Sequence, residues 1–323
     1  MQPPTLHDIY DARPRVYKHL RPTPLLAHPL LETELGTSVY VKHENHNPTG
    51  AFKIRGGLNL VATLAASDRN AGVVTASTGN HGQSVAMACG LQHAPCTIYV
   101  PVGNNPEKNA AMRGYGATVI EHGRDFDAAR SRCEQDALAR GCRYIHPANE
   151  PLLLAGVGTY ALEIFEELPR VDVVFVPIGG GSGASGLVTV RTALGNSTRI
   201  IGVQAERADA FTRSWRSGVR VVGDHADTFA EGIATRVTFD LTFELLKKEL
   251  DDIITLSEDE LAEGVRLALR ATHNLAEGAG AAPLMAAWKM RRELAGKTVV
   301  CVMSGGNMDT VVLRRILSGS GPE

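Results

Sequence analysis

The chain has 323 residues, 44% of them hydrophobic and 21% charged, with 33 basic against 35 acidic side chains and a formal net charge of −2. Such a composition buries a sizeable core, which excludes intrinsic disorder, and its balanced charge excludes a dedicated polyanion binder, which needs a concentrated basic face. The uncharged run Val173 to Val190 carries five glycines and a proline, so it reads as strand, loop and helix, not as a membrane span.

The N-terminal stretch MQPPTLHDIYDARPR has no apolar core of a secretory leader. Cys89, Cys96, Cys133, Cys142 and Cys301 form no CxxC pair, and a cytoplasmic protein is expected. In chain order, Val39–Val41 reads as a strand, followed by a loop at Asn45–Gly50 and a helix to about Leu64. Strand Val73–Thr75 leads to a helix from about Gly82 to Leu91, and strand Cys96–Val100 to one near Pro106–Tyr115. Thr118–Glu121 precedes a helix over Asp125–Arg140, and Tyr144–Ile145 precedes one over Leu152–Leu168. Val173–Val176 and Ile200–Gln204 bracket a helix near Ala184–Leu194; Ser257 caps an acidic helix start, and Val299–Val302 is a last strand. Strands separated by helix-length segments mean βαβ units, hence α/β architecture with a mostly parallel sheet and ligands at the strand ends. The length alone suggests two domains; no linker marks a seam.

Glycines and small polar residues gather at four strand ends: Asn47–Gly57, Ala76–Ser84, Pro177–Gly186 and Met303–Asp309. In the third, a Val-Val-Phe-Val strand runs into Gly179-Gly180-Gly181-Ser182-Gly183 and then a helix. Successive backbone N–H groups and a helix dipole there make a phosphate cradle, where a plain turn would need one glycine. Gly181 to Gly186 also matches the dinucleotide fingerprint GxGxxG, with Glu206 following the next strand, so a nicotinamide dehydrogenase competes. Against it, at least five strands precede this turn, and the fingerprint normally opens its domain. The GKT at Gly296–Thr298 is no nucleotide loop, because Arg291 stands where that loop needs glycine.

Lys53 lies between Phe52 and Ile54, with glycines at 50, 56 and 57, at the start of a helix. Most lysines are solvated, but apolar neighbours and a helix N-terminus destabilise an ammonium and free the amine as a nucleophile. A nucleophilic lysine together with a phosphate cradle points to pyridoxal phosphate. Ser77-Thr78-Gly79-Asn80-His81 offers hydroxyls and N–H groups suited to a carboxylate, and Asn80 can donate to a phenolate oxygen; a simple cap would explain one of these residues, not four. His81 by itself reads as structural. Ser304-Gly305-Gly306-Asn307 alone reads as a turn. No His/Cys/Asp cluster has zinc spacing, and no metal is expected.

Together the four segments, in order from Thr5 to about Leu317, resemble the fold-type II pyridoxal-phosphate enzymes of the threonine/serine dehydratase and serine racemase branch. The resemblance implies two doubly wound, mostly parallel open-sheet domains: a large one of residues 1–65 plus 151–323, and a small mobile one of residues 72–149. It implies that Lys53 binds the cofactor covalently, with Phe52 beside the ring and Asn80 on the 3′-oxygen. It further implies that Gly179, Gly180, Gly181, Ser182 and Gly183 hold the phosphate and that Ser304 meets the pyridine nitrogen. Ser77, Thr78, Gly79, Asn80 and His81 would grip the substrate carboxylate. Thr78 stands where the racemase carries its reprotonating serine, which favours elimination over racemisation. Glu231 replaces the family's more usual Asp, and Thr212 falls where a cation site needs an acid. The implied reaction is conversion of a β-hydroxy L-amino acid (threonine, serine, or a bulkier analogue such as phenylserine or 3-hydroxyaspartate) to a 2-oxo acid and ammonia. A homodimer acting on a small molecule, without nucleic-acid or membrane partners, is implied as well. Racemisation is the nearest alternative.

Overall fold

A computed structural model describes residues 1–319. Ten strands occur among them: β1 Leu25–Ala27, β2 Ser38–His43, β3 Val73–Ala76, β4 Cys96–Val100, β5 Thr118–Glu121, β6 Arg143–Tyr144, β7 Val173–Pro177, β8 Arg199–Ala205, β9 Asp252–Leu256 and β10 Thr298–Met303. They form a six-stranded sheet ordered β1-β2-β10-β7-β8-β9 and a four-stranded sheet ordered β5-β4-β3-β6. All pairings are parallel except β1 against β2. Two parallel-sheet α/β domains result, the smaller sheet built from consecutive strands within the chain of the larger.

The strand runs read from the sequence match β4 and β5 to the residue and the others to within one or two. Central strand β7 is apolar on both faces: Val174 and Val176 enter one core while Val173 and Phe175 enter the other. That is why it reads as an unbroken Val-rich run and not as an alternating one. Two strands escape the sequence reading. Strand β1 has three residues, two of them exposed, and follows Pro24; edge strand β9 is only partly buried, so neither carries a strong apolar signal.

Caps set the helix starts. Ser257 accepts from the Glu260 N–H while the Glu260 carboxylate accepts from the Ser257 N–H, closing a capping box ahead of helix Glu258–Thr272. Asn105 accepts from the N–H groups of Glu107 and Lys108, with Pro106 in the first turn of helix Pro106–Gly114. The helices Asn80–Leu91 and Ser182–Ala193 each start two residues before the expected position, directly on their small-residue turns. This brings the first, unpaired N–H groups of both helices to the carboxyl ends of β3 and β7.

Candidate active site

The four strand-end segments converge. Ala51 and Gly305 form an isolated antiparallel bridge. Around it the Phe52 N–H donates to the Ser304 carbonyl at 3.0 Å and the Gly306 N–H to the Gly50 carbonyl at 2.9 Å. The last strand's turn is thereby stitched to the residues just ahead of Lys53. Lys53 opens helix Lys53–Thr63. Its Nζ lies 2.6 Å from Ser182 Oγ and 5.1 Å from the centre of the Phe52 ring. No carboxylate pairs with this amine in any hydrogen bond or ion pair described for it, and burial pulls it down to about 8.

The turn that meets Lys53 depends on backbone approach. A Cβ on Gly179 would collide with the Gly232 carbonyl oxygen, and Gly181 sits at φ 86° as the cap of helix Ser182–Ala193. Only glycine suits both positions without strain. Thr242 Oγ1 donates to the Gly180 carbonyl at 2.8 Å, and Tyr160 donates to the Gly183 carbonyl at 2.9 Å while its ring meets Phe52 edge-on. With those carbonyls tied back, the N–H side of the turn stays available to an anion.

From the small sheet, β3 delivers Ser77–Asn80. Ser77 Oγ accepts from the N–H groups of Gly79 and Gly82 at 3.2 and 2.9 Å, so it shapes the loop. Thr78 is half-buried, and its carbonyl accepts from Asn104 Nδ2 at 3.2 Å. His81 turns inward, with Nε2 3.1 Å from Thr75 Oγ1; burial, then the nearby Lys53 and His146, pull it down to about 3. It is held neutral at physiological pH, and its Nε2 is engaged with strand β3 of the small domain.

Glu277 and Lys108 escaped the sequence reading, and Asn307 was read only as part of a turn. Asn80 Nδ2 donates to Glu277 Oε1 at 2.8 Å, and burial raises that carboxyl to about 7 against the opposing pull of Lys108. Lys108 is buried and pairs with Glu231 at 2.6 Å, and its stem would lie 3.3 Å from a Cβ on Gly79. Asn307 Nδ2 donates to Asn80 Oδ1 at 2.7 Å. Thr212, by contrast, is absorbed elsewhere: its N–H and hydroxyl both donate to Gln204 Oε1 at 2.8 Å. Among the described residues no group of three or more His, Cys, Asp or Glu side chains could hold a metal ion.

Directly behind Lys53 lies a buried ionic cluster that the sequence does not announce. Arg55 reaches Glu44 through Nε at 2.7 Å and Glu163 through Nη1 at 2.6 Å, while Lys42 Nζ meets Glu163 Oε2 at 2.5 Å. Thr23 and Tyr17 hydroxyls donate to Glu44 and Glu163, at 2.5 and 2.6 Å. Burial works against ionisation of Glu163, but Arg55 and Lys42 outweigh it and hold the carboxyl below its usual range.

Comparison with known proteins gives a consistent outcome. The family model described as pyridoxal-phosphate dependent enzyme matches residues 16–305. The chain is 40% identical to an L-threonine ammonia-lyase of Geobacter sulfurreducens, over 99% of this chain and 80% of that protein. It is 34% identical to an L-threo-3-hydroxyaspartate ammonia-lyase of Saccharomyces cerevisiae, over 98% of this chain and 97% of that protein. Its fold superposes on the structure of maize serine racemase with a TM-score of 0.92 at 27% identity, covering 98% of this chain and 97% of that one. The nicotinamide alternative for Gly181–Gly186 is thereby set aside. The chain belongs to the pyridoxal-phosphate dependent enzymes, and pyridoxal phosphate is its cofactor.

Proposed function

We propose that the protein is an ammonia-lyase that eliminates water from a β-hydroxy L-amino acid to give an enamine, whose imine tautomer takes water back as it releases ammonia, leaving a 2-oxo acid. Threonine and serine are the first candidates, with 3-hydroxyaspartate and phenylserine as bulkier ones. The observation that carries this reading is the placement of one buried amine with no carboxylate partner, Lys53, 2.6 Å from the serine of a triple-glycine turn.

The residues present fit the cofactor. The Gly179–Gly183 turn, closed to any side chain at Gly179 and ending on a helix N-terminus, holds the phosphate through backbone N–H groups. Phe52 would lie against the ring, Asn80 would donate to the 3′-oxygen, and Ser304, whose carbonyl accepts from the Phe52 N–H, would meet the ring nitrogen. Pyridoxal phosphate, when bound, supplies the electron sink for the charge left as the α-proton departs. Lys53 provides the base: an amine at about 8 is neutral in roughly a tenth of molecules at pH 7, so it accepts that proton without strong alkali. The Ser77–His81 loop binds the substrate carboxylate through hydroxyl and backbone N–H donors, His81 through its N–H alone. Thr78 holds a hydroxyl beside the reacting carbons.

Residues 72–149 act as a mobile domain closing on residues 1–65 and 151–323. Lys108–Glu231 at 2.6 Å, Thr310–Glu107 at 2.7 Å and the Asn105–Asp309 pair are the contacts that would latch it. The five cysteines are all unpaired, in keeping with a reducing cytoplasm, and a homodimer is the assembly we expect. Among the described residues no helix is long and apolar enough to cross a membrane. Racemisation is the second reading, favoured by the likeness to the maize enzyme; the branched Thr78 is less suited than serine to deliver a proton to the opposite face.

The test is a 2-oxo-acid release assay over a panel of β-hydroxy amino acids, with Lys53→Ala beside the wild type. Turnover in the variant is expected to fall by at least ~10³-fold, with loss of the bound cofactor's near-visible absorbance. Near-normal turnover in Lys53→Ala would end the proposal. Inversion of substrate without oxo-acid release would replace it with the racemase reading.

A further inference from the structure

Asn80 carries a carboxamide whose two ends differ chemically but not in shape, so its usefulness as a donor depends on which end faces the cofactor. Three groups decide that here. The carbonyl oxygen of Thr49, which can only accept, takes a hydrogen bond from Asn307 Nδ2 at 2.8 Å. That fixes the Asn307 amide with its nitrogen inward, and the same nitrogen donates to Asn80 Oδ1 at 2.7 Å. The Asn80 nitrogen is left on the other side, where it donates to Glu277 Oε1 at 2.8 Å. Flipping the Asn80 amide would set nitrogen against nitrogen at Asn307 and oxygen against oxygen at Glu277.

Two glycines make room for this string. A Cβ on Gly50, which holds φ 67°, would stand 2.5 Å from Asn307 Oδ1, and a Cβ on Gly305 would stand 2.6 Å from Glu277 Oε1. The Glu277 N–H also donates to the Gly305 carbonyl at 3.1 Å, which anchors the residue's backbone. Asn80 comes from the small domain; Asn307 and Glu277 come from the large one.

We propose that Asn307 and Glu277 are positioning residues that hold the Asn80 carboxamide in one orientation, keeping its second N–H for the 3′-oxygen of the cofactor. This rests on the reading of Asn80 as a cofactor contact, and it assigns a purpose to the last residue of the Ser304–Asn307 turn. The relay also couples the two domains: the amide is aimed only while residues of the large domain reach it.

The test is a double-mutant cycle read by binding of pyridoxal phosphate to the apo-protein, followed by absorbance, with a thermal melt confirming that each variant folds. Asn307→Asp replaces a donor by an acceptor and is expected to weaken the apparent dissociation constant about 10-fold. In an Asn80→Ala background the same change should add less than about 2-fold. Glu277→Gln, whose amide oxygen can still accept from Asn80, should keep wild-type affinity and spectrum, whereas Glu277→Leu should match Asn80→Ala. If Asn307→Asp does not fold, Asn307→Ser completes the same cycle. Full additivity with a weakened Asn80→Ala, or an unperturbed Glu277→Leu, overturns the relay alone. Wild-type affinity in Asn80→Ala overturns the reading of Asn80 and the relay with it.

Discussion

Lys53 and Arg55 sit two residues apart on one helix, yet face opposite electrostatic worlds. Arg55, with Lys42, meets two carboxylates, and this neutral quartet has every charge matched at 2.5 to 2.9 Å. On the other side, Lys53 has a hydroxyl for a partner, and Glu277 has an amide. The first arrangement favours the charged forms of Arg55 and Glu163; the second lets burial draw both groups toward neutrality, to about 8 and about 7. Burial therefore yields scaffold or chemistry depending on whether opposite charge is supplied.

The contrast is broken most forcefully from the scaffold side. Arg55→Leu leaves Glu44 in the interior without a cation and Glu163 with Lys42 alone, and is expected to destabilise the apo-protein by about 3–5 kcal/mol, measured by urea unfolding. A loss below 1 kcal/mol would mean that the quartet is dispensable and the comparison empty. A smaller effect comes from Glu277. Its folded value lies above that of a free carboxylate, so its favourable contribution is complete below about pH 4.5 and is lost as pH rises through about 7. Glu277→Gln removes that dependence, so relative to wild type the variant should gain roughly 2 kcal/mol between pH 4.5 and 8. Paired urea melts at the two ends decide the matter, a flat difference counting against a raised carboxyl. Smallest is Ser182→Ala, which removes the hydroxyl facing Lys53. Pyridoxal phosphate affinity should fall by no more than about 5-fold, the worth of a single neutral hydrogen bond. A hundred-fold loss would make the hydroxyl, and not the backbone turn, the principal anchor.

The sequence disclosed the working side of this contrast far better than the supporting side. Glycine runs and small polar residues at strand ends carry local backbone meaning, so Lys53, Gly179–Gly183 and Ser77–Asn80 stand out without a fold. Lys42, Glu44, Arg55 and Glu163 do not: each looks like an ordinary surface charge until strand β2 and two helices bring them together. Glu277 and Lys108 are silent for the same reason. Asn307 lay inside a segment that was noticed, but its partners Thr49 and Asn80 are far off along the chain, and a turn needs no such partners. His81 shows the limit in the other direction, since adjacency to a loop says nothing about where a ring points.

The helix Pro151–Glu167 packs against both the helix that Lys53 opens and the helix that the anion turn opens, with Gly156 on one contact line and Gly158 on the other. On one flank, a Cβ on Gly156 would strike the Arg55 carbonyl, and one on Gly56 would stand 2.7 Å from the Leu153 carbonyl; on the other, a Cβ on Gly186 would lie 2.8 Å from Gly158 Cα. Three helices thus come main chain to main chain at these glycines. The spacing of the helices that carry lysine and cradle is consequently set by these backbone contacts. A single methyl group added at Gly156 or Gly186 would widen it, however faithfully every reactive side chain were kept.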